Sequence, residues 1–162
     1  MELSNLNIKD GLCISIGSNI HSKFGNPVKS LIESKFRIEK IIKNFNNLNL
    51  SDNLEKNIEK KAFTWSSLYQ TSPLGVFEKQ PDYINSLLLA SSDLLPPCSI
   101  EKARLLLQEF QNLEKEFGRN KLLEEKRWLP RPLDIDILWW DDLKINEKDL
   151  KLPHPRFKNR NF

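Results

Sequence analysis

Asp134 and Asp136 stand two residues apart in an otherwise apolar run, Leu133-Asp134-Ile135-Asp136-Ile137-Leu138-Trp139-Trp140. In an extended strand alternate side chains share a face. Leu133, Ile135, Ile137 and Trp139 are therefore expected on one side and both carboxylates on the other, with Cα atoms roughly 7 Å apart. Two carboxylates at that separation repel each other unless positive charge lies between them. A hard divalent cation with oxygen ligands meets that need, and magnesium is the usual choice where phosphates complete the shell. Such a pair can support a two-metal clamp on a displacement at phosphorus. Taken alone, the pair reads more readily as the solvent face of an edge strand, and the residues upstream bring the two readings level. Arg119, Lys121, Lys126, Arg127 and Arg131 lie just upstream, in a loop able to fold over the same face. Guanidinium groups there would neutralise charge spreading over a transferring group, and a solvated charged loop is the plain alternative.

The glycines narrow the chemistry. Gly11, Gly17, Gly25, Gly75 and Gly118 build neither a G-x-x-x-x-G-K-[ST] nor a G-x-G-x-x-G pattern, which counts against Walker-type NTPases, protein kinases and dinucleotide-binding oxidoreductases. Any polyphosphate must be held by metals and side chains. Cys13 and Cys98 have no metal-ligand spacing and read as reduced structural thiols of a cytoplasmic protein. No signal peptide is expected in residues 1–10, and the Tyr83 to Leu95 stretch is too short and polar to span a bilayer. A net charge of +3 suits an anionic ligand but falls short of a nucleic-acid footprint. Two aspartates on a central candidate strand would also repel a phosphate backbone.

The elements that must position these residues follow from periodicity and turn signals. Leu12 to Ile16 reads as a strand turning at Gly17-Ser18-Asn19. From Pro27 to about Asn44, Val28, Leu31, Ile32, Ile38, Ile41, Ile42 and Phe45 recur mostly at helical spacing. Asn46 to Lys61 reads as an exposed connector, Ala62 to Tyr69 as a second strand, and Thr71 to Pro81 as a loop. Tyr83 to Ser92 reads as a third strand. A second helix starts near Ser99 as N-cap, carries Ile100, Ala103, Leu106, Leu107, Phe110, Leu113 and Phe117, and stops at Gly118. Asn120 to Arg131 reads as a mobile loop, Leu133 to Trp140 as a fourth strand, and Asp141-Asp142 as a turn before a short strand near Ile145. This order predicts an α+β fold with a ferredoxin-like βαββαβ core, a mainly antiparallel sheet with helices packed against it.

Arg127 to Leu138 resembles the signature of the 6-hydroxymethyl-7,8-dihydropterin pyrophosphokinases: a basic residue, Pro-Arg, two residues, then Asp-aliphatic-Asp-aliphatic-aliphatic. Four more segments fall in that family's order: Gly17-Ser18-Asn19, Ser67 to Gly75, Gln80-Pro81-Asp82-Tyr83-Ile84-Asn85, and Leu152-Pro153-His154-Pro155-Arg156 running to Arg160-Asn161-Phe162. The resemblance implies a folate-biosynthesis transferase that moves a diphosphoryl group from ATP to the pterin's hydroxymethyl group and releases AMP. It implies that Asp134 and Asp136 hold two magnesium ions and that Arg119 and Arg131 contact the phosphates. Arg127 and Trp128 would lie on a closing loop. Gln111, Glu114, Ile137, His154 and Arg160 would help hold ATP, with Gln111 and Glu114 sharing a helix face opposite the apolar stripe. Asn85 would read the pterin edge, Thr71 and Leu74 would supply backbone contacts, and Phe162 would stack on the ring with Tyr83 close by. The expected unit is a single monomeric, cytoplasmic domain over residues 1–162, ending short of the family's usual C-terminal segment, with neither nucleic acid nor membrane as partner. The alternatives are a catalytically impaired nucleotide- or pterin-binding relative and a different magnesium-dependent nucleotidyl transferase.

Overall fold

A computed structural model describes residues 11–45, 62–73, 79–120 and 129–157. Strand β1 (Leu12–Ser18) leads to helix α1 (Pro27–Phe45). Strands β2 (Phe63–Trp65), β3 (Tyr69–Thr71) and β4 (Tyr83–Ala90) come next, then helix α2 (Ile100–Glu116) and β5 (Asp134–Trp140). A two-strand ribbon of β6 (Ile145–Asn146) and β7 (Lys151–Leu152) closes the described chain. The main sheet runs β2–β4–β1–β5, with β3 pairing β4 beside β2, and its neighbours are antiparallel. This is the expected α+β, ferredoxin-like arrangement. The two central strands, β1 and β4, are not consecutive in the chain, because each helical crossover carries the chain past a neighbouring strand position.

One sheet face packs on both helices. Leu12, Ile14 and Ile16 of β1, Leu88 and Ala90 of β4, and Ile135 and Ile137 of β5 meet Leu31, Ile38 and Ile42 of α1 and Leu106, Phe110 and Leu113 of α2. Helix α2 starts where expected: the Ser99 hydroxyl accepts from the Lys102 N–H at 3.3 Å, and Gly118 takes φ +99° just past the last turn. In α1 the buried stripe is Leu31, Ser34, Ile38 and Ile42, flanked by Ser30, whereas Val28 and Ile32 are exposed. The small Ser30 and Ser34 face inward, and the apolar positions beside them turn toward solvent.

Three expectations change at the strands. Gly17 and Ser18 continue β1 instead of turning, pairing with Asn85 and Ile84 on β4. The predicted second strand is broken: Ser66 donates its N–H to the Leu87 carbonyl and accepts the Leu87 N–H on its hydroxyl, each at 2.9 Å, and pairing resumes at Tyr69. In β5 the register slips between Cys13 and Ile14, which pair with Trp139 and Ile137 respectively, leaving Leu138 as the extra residue of a bulge. Trp139 therefore joins Cys13 and Leu138 on the second face, and Trp140 takes the core place that strict alternation assigns to Trp139. The predicted connector at residues 46–61 and most of the predicted loop at residues 120–131 lie outside the described residues.

Candidate active site

The face turned away from the helices gathers the chemistry-bearing residues. On β1, Gly17 stands between Asn85 of β4 and Asp134 of β5, and Ser15 stands between Leu87 and Asp136. The next row is apolar, with Leu89, Cys13 and Trp139 packed against Phe157. Strand pleating thus carries Asp134 and Asp136 onto the face opposite Ile135 and Ile137, as their spacing predicts.

Asp134 lies at the centre of an ion network. Its Oδ1 accepts from Arg119 Nη1 at 2.6 Å and from Arg131 Nη1 at 2.9 Å, and the same Arg119 nitrogen donates to Glu114 Oε1 at 2.7 Å. The side chains are 8% exposed at Arg119, 17% at Arg131 and 21% at Asp134. Burial alone would raise the Asp134 carboxyl pKa, but the Arg131 and Arg119 guanidiniums hold it below the usual carboxylate range. Tyr83 reaches the same corner: burial raises its phenol pKa, the Arg131 guanidinium works against that rise, and Asp134 adds to it.

Glu114 departs from expectation. Its side chain is 2% exposed and belongs to the packed side of α2 with Phe110 and Leu113, not to a face opposite the apolar stripe. The physical reason is a partner on the β5 edge: Glu114 Oε1 accepts the Ile135 N–H at 2.9 Å as well as the Arg119 guanidinium. A buried carboxylate with two such donors is compensated. Gln111 is half-buried one turn earlier. Ile137 sends its side chain into the main core, 3% exposed, so only its backbone can serve the open face.

The far end of the face is neutral. Asn85, 8% exposed, donates from Nδ2 to Thr71 Oγ1 at 2.8 Å, its side chain's one hydrogen bond among the described residues. His154 is tethered at the bulge, where its N–H donates to the Leu138 carbonyl at 2.7 Å and its Nδ1 accepts the Arg156 N–H at 3.2 Å. The bulge thus places the Pro153-His154-Pro155 turn beside the strand that bears the aspartates.

Sequence reasoning assigned no role to Asn19. Buried at 2% exposure, it grips the Arg131 backbone at two points: its Oδ1 accepts the Arg131 N–H at 2.7 Å, and its own N–H donates to the Arg131 carbonyl at 3.1 Å. Its Nδ2 donates to the Pro81 carbonyl at 3.2 Å. The signal was the Gly17-Ser18-Asn19 motif, but only the fold reveals what the asparagine holds. An open groove of about 560 Å³ lies elsewhere, beside the start of α1, and is lined by Asn19, His21, Asn26, Val28, Gln70 and Ile84 among others. Leu74, Lys121, Lys126, Arg127, Trp128, Arg160 and Phe162 lie outside the described residues.

Chemically, this face offers two carboxylates one pleat apart and two guanidiniums at a corner shared with a half-buried phenol. An asparagine amide lies two strands away. No cluster of three or more His, Cys, Asp or Glu suited to a metal is present among the described residues. Two carboxylates one pleat apart are the kind of donor set that a hard ion such as magnesium uses when phosphates and water complete its shell.

The family model described as 7,8-dihydro-6-hydroxymethylpterin-pyrophosphokinase (HPPK) matches residues 13–162. A 2-amino-4-hydroxy-6-hydroxymethyldihydropteridine pyrophosphokinase of Aquifex aeolicus is 39% identical over 97 residues, 60% of this chain and 54% of that protein. The protein of the same name from Haemophilus influenzae is 38% identical over 99 residues, 61% of this chain and 55% of its own length. The folic acid synthesis protein fol1 of Pneumocystis carinii is 31% identical over 154 residues, 94% of this chain and 16% of that protein. The chain spans about half the length of the first two relatives. With the motif segments in order, the sheet topology and the match over residues 13–162, the chain belongs to the 7,8-dihydro-6-hydroxymethylpterin-pyrophosphokinase family.

Proposed function

We propose that this chain transfers the terminal diphosphoryl group of ATP to the hydroxymethyl group of 6-hydroxymethyl-7,8-dihydropterin, yielding AMP and the pterin diphosphate. The observation that carries this reading is the single face that joins Asp134, Asp136, Arg119 and Arg131 to Asn85 across Gly17. Polyphosphate belongs at the charged end and the planar heterocycle at the neutral end, which brings the hydroxymethyl oxygen to the β-phosphorus. That oxygen forms the new O–P bond, the bond from the β-phosphorus to the α,β-bridging oxygen breaks, and AMP leaves. The hydroxyl proton passes to solvent or to a carboxylate of the site.

Asp134 and Asp136 would hold two magnesium ions, which when bound neutralise the polyphosphate charge and align it. The chain's own groups do the remainder. Arg119 and Arg131 sit on Asp134 Oδ1, where they can pass to phosphate oxygens and meet the charge that builds on the transferring group. Glu114 positions Arg119, and Asn19 fixes the backbone of Arg131. Asn85 offers its amide to the ring edge, and Thr71 fixes the amide's direction. Tyr83 supplies an aromatic wall. Gln111, His154 and, beyond the described residues, Arg127, Trp128 and Arg160 are assigned to the nucleotide; Leu74 and Phe162 are assigned to the pterin. Positioning and electrostatics carry the rate. No helix among the described residues is long and apolar enough to cross a membrane. We assign the chain as a monomeric, cytoplasmic enzyme.

Incubation with ATP, magnesium and the dihydropterin, with AMP followed by chromatography against a pterin-free control, tests the proposal. Pterin-dependent AMP is expected. Pterin-dependent ADP would mean transfer of a single phosphoryl group and would overturn it.

A further inference from the structure

Gly17 is the cross-strand neighbour of both Asn85 and Asp134 and lies between them on the open face. It needs no glycine backbone: Gly11, Gly25 and Gly118 have positive φ, and Gly17 does not. The demand for glycine is spatial. A Cβ at this position would lie 2.9 Å from Asn85 Oδ1 and 3.6 Å from Tyr83 Cδ1. The closer distance is one that carbon and oxygen do not tolerate without displacement, and the atom that must give way ends a side chain, not a backbone segment.

We infer that Gly17 is a positioning residue for pterin recognition, which leaves the space in which Asn85 holds its amide carbonyl toward the ring. The inference rests on the proposed assignment of Asn85 to the ring edge. Thr71 anchors the amide at Nδ2, 2.8 Å from its hydroxyl, and Gly17 leaves the opposite end room. With both conditions met, the amide presents a carbonyl acceptor and its remaining N–H in a fixed direction before any ligand arrives. That preorganisation suits a heterocycle edge carrying a donor beside an acceptor. A methyl group at position 17 forces the amide to rotate, which breaks the Thr71 contact or turns the carbonyl off the ring. The sheet itself is spared, because alanine suits an ordinary strand backbone at least as well as glycine.

The test is a double-mutant cycle of Gly17→Ala and Asn85→Ala. It is read by the Kd of 6-hydroxymethyl-7,8-dihydropterin in the presence of magnesium and α,β-methylene-ATP, an analogue whose α–β link does not break. Gly17→Ala is expected to raise that Kd about tenfold, as loss of one well-formed hydrogen bond does. The Kd of the nucleotide analogue should stay within about twofold and Tm should not fall. In the Asn85→Ala background the glycine substitution should cost nothing further, since the group it displaces is gone. An unchanged pterin Kd in Gly17→Ala, beside a weakened Asn85→Ala, would overturn the inference and leave the assignment of Asn85 standing. Equal losses in both backgrounds would also overturn it, because Gly17 would then act without Asn85. An unchanged Kd in Asn85→Ala would remove the assignment and the inference together.

Discussion

The two ends of the open face are held by different forces. At the charged end, Asp134 receives two guanidiniums, and one of them is shared with a carboxylate buried to 2% exposure. At the neutral end, one 2.8 Å hydrogen bond and an absent side chain at Gly17 set the asparagine. A polyphosphate needs charge held ready in a half-buried place, and such charges stay put only when each has a partner. A flat heterocycle needs direction more than charge, which short side chains on paired strands provide at little cost. Removing a group from the charged end should therefore disturb chemistry and folding together, whereas the neutral end can lose recognition and keep its stability.

The largest effect is expected where chemistry is concentrated. Asp136→Ala should lower turnover by roughly a thousandfold or more, the scale set by several kcal/mol of charge stabilisation at a metal-assisted displacement. Steady-state AMP formation measures it, and near-normal turnover would remove the aspartates from the reaction.

Glu114 is next, with stability as the readout. Glu114→Ala strips an acceptor from Arg119 and from the Ile135 N–H inside the packed interface. Breaking a buried pair in this way costs about 3–5 kcal/mol, which corresponds to roughly 6–20 °C in Tm for a chain of this size. Glu114→Gln keeps an acceptor for the Ile135 N–H and should recover part of that loss. Thermal unfolding of both variants decides it; equal Tm values for wild type and Glu114→Ala would show that the network does not hold α2 to β5.

The smallest effect concerns the apolar row beyond the aspartates. Burial pushes the Cys13 thiol up to about 12, so the reactive thiolate is scarce near pH 8. Cys98 is half-buried and its pKa is raised as well, chiefly by desolvation. A thiol reagent on the native protein should label Cys98 far ahead of Cys13, with Cys13 reacting on unfolding. Labelling at equal rates, read by mass spectrometry, would show that the row opens readily.

Much of this was legible because alternation and helical spacing report burial directly. The paired aspartates faced away from Ile135 and Ile137 as their spacing required, and Ser99 and Gly118 bounded α2 through local backbone chemistry. Trp139 was misplaced because a bulge at Leu138 shifts the period by one residue, and what fixes a bulge is the fit of neighbouring strands. Glu114 was misplaced because a glutamate beside an apolar stripe reads as solvent-facing until its partners across the fold are known. Asn19 and Gly17 were visible as motif letters only; one acts through the backbone of Arg131 and the other through space left for Asn85, and neither relation exists along the chain.

The most direct test of the central claim, that one face divides into a phosphate end and a pterin end, is a crossed binding measurement. Asp136→Ala and Asn85→Ala are each titrated with manganese and α,β-methylene-ATP, and separately with the dihydropterin, by calorimetry. Asp136→Ala is expected to lose metal-dependent nucleotide binding and to keep the pterin Kd within a few-fold. Asn85→Ala is expected to do the reverse, with the pterin Kd rising about tenfold or more. If both variants lose both ligands to the same extent in folded protein, or if the losses are exchanged, the division of the face into two ends is contradicted.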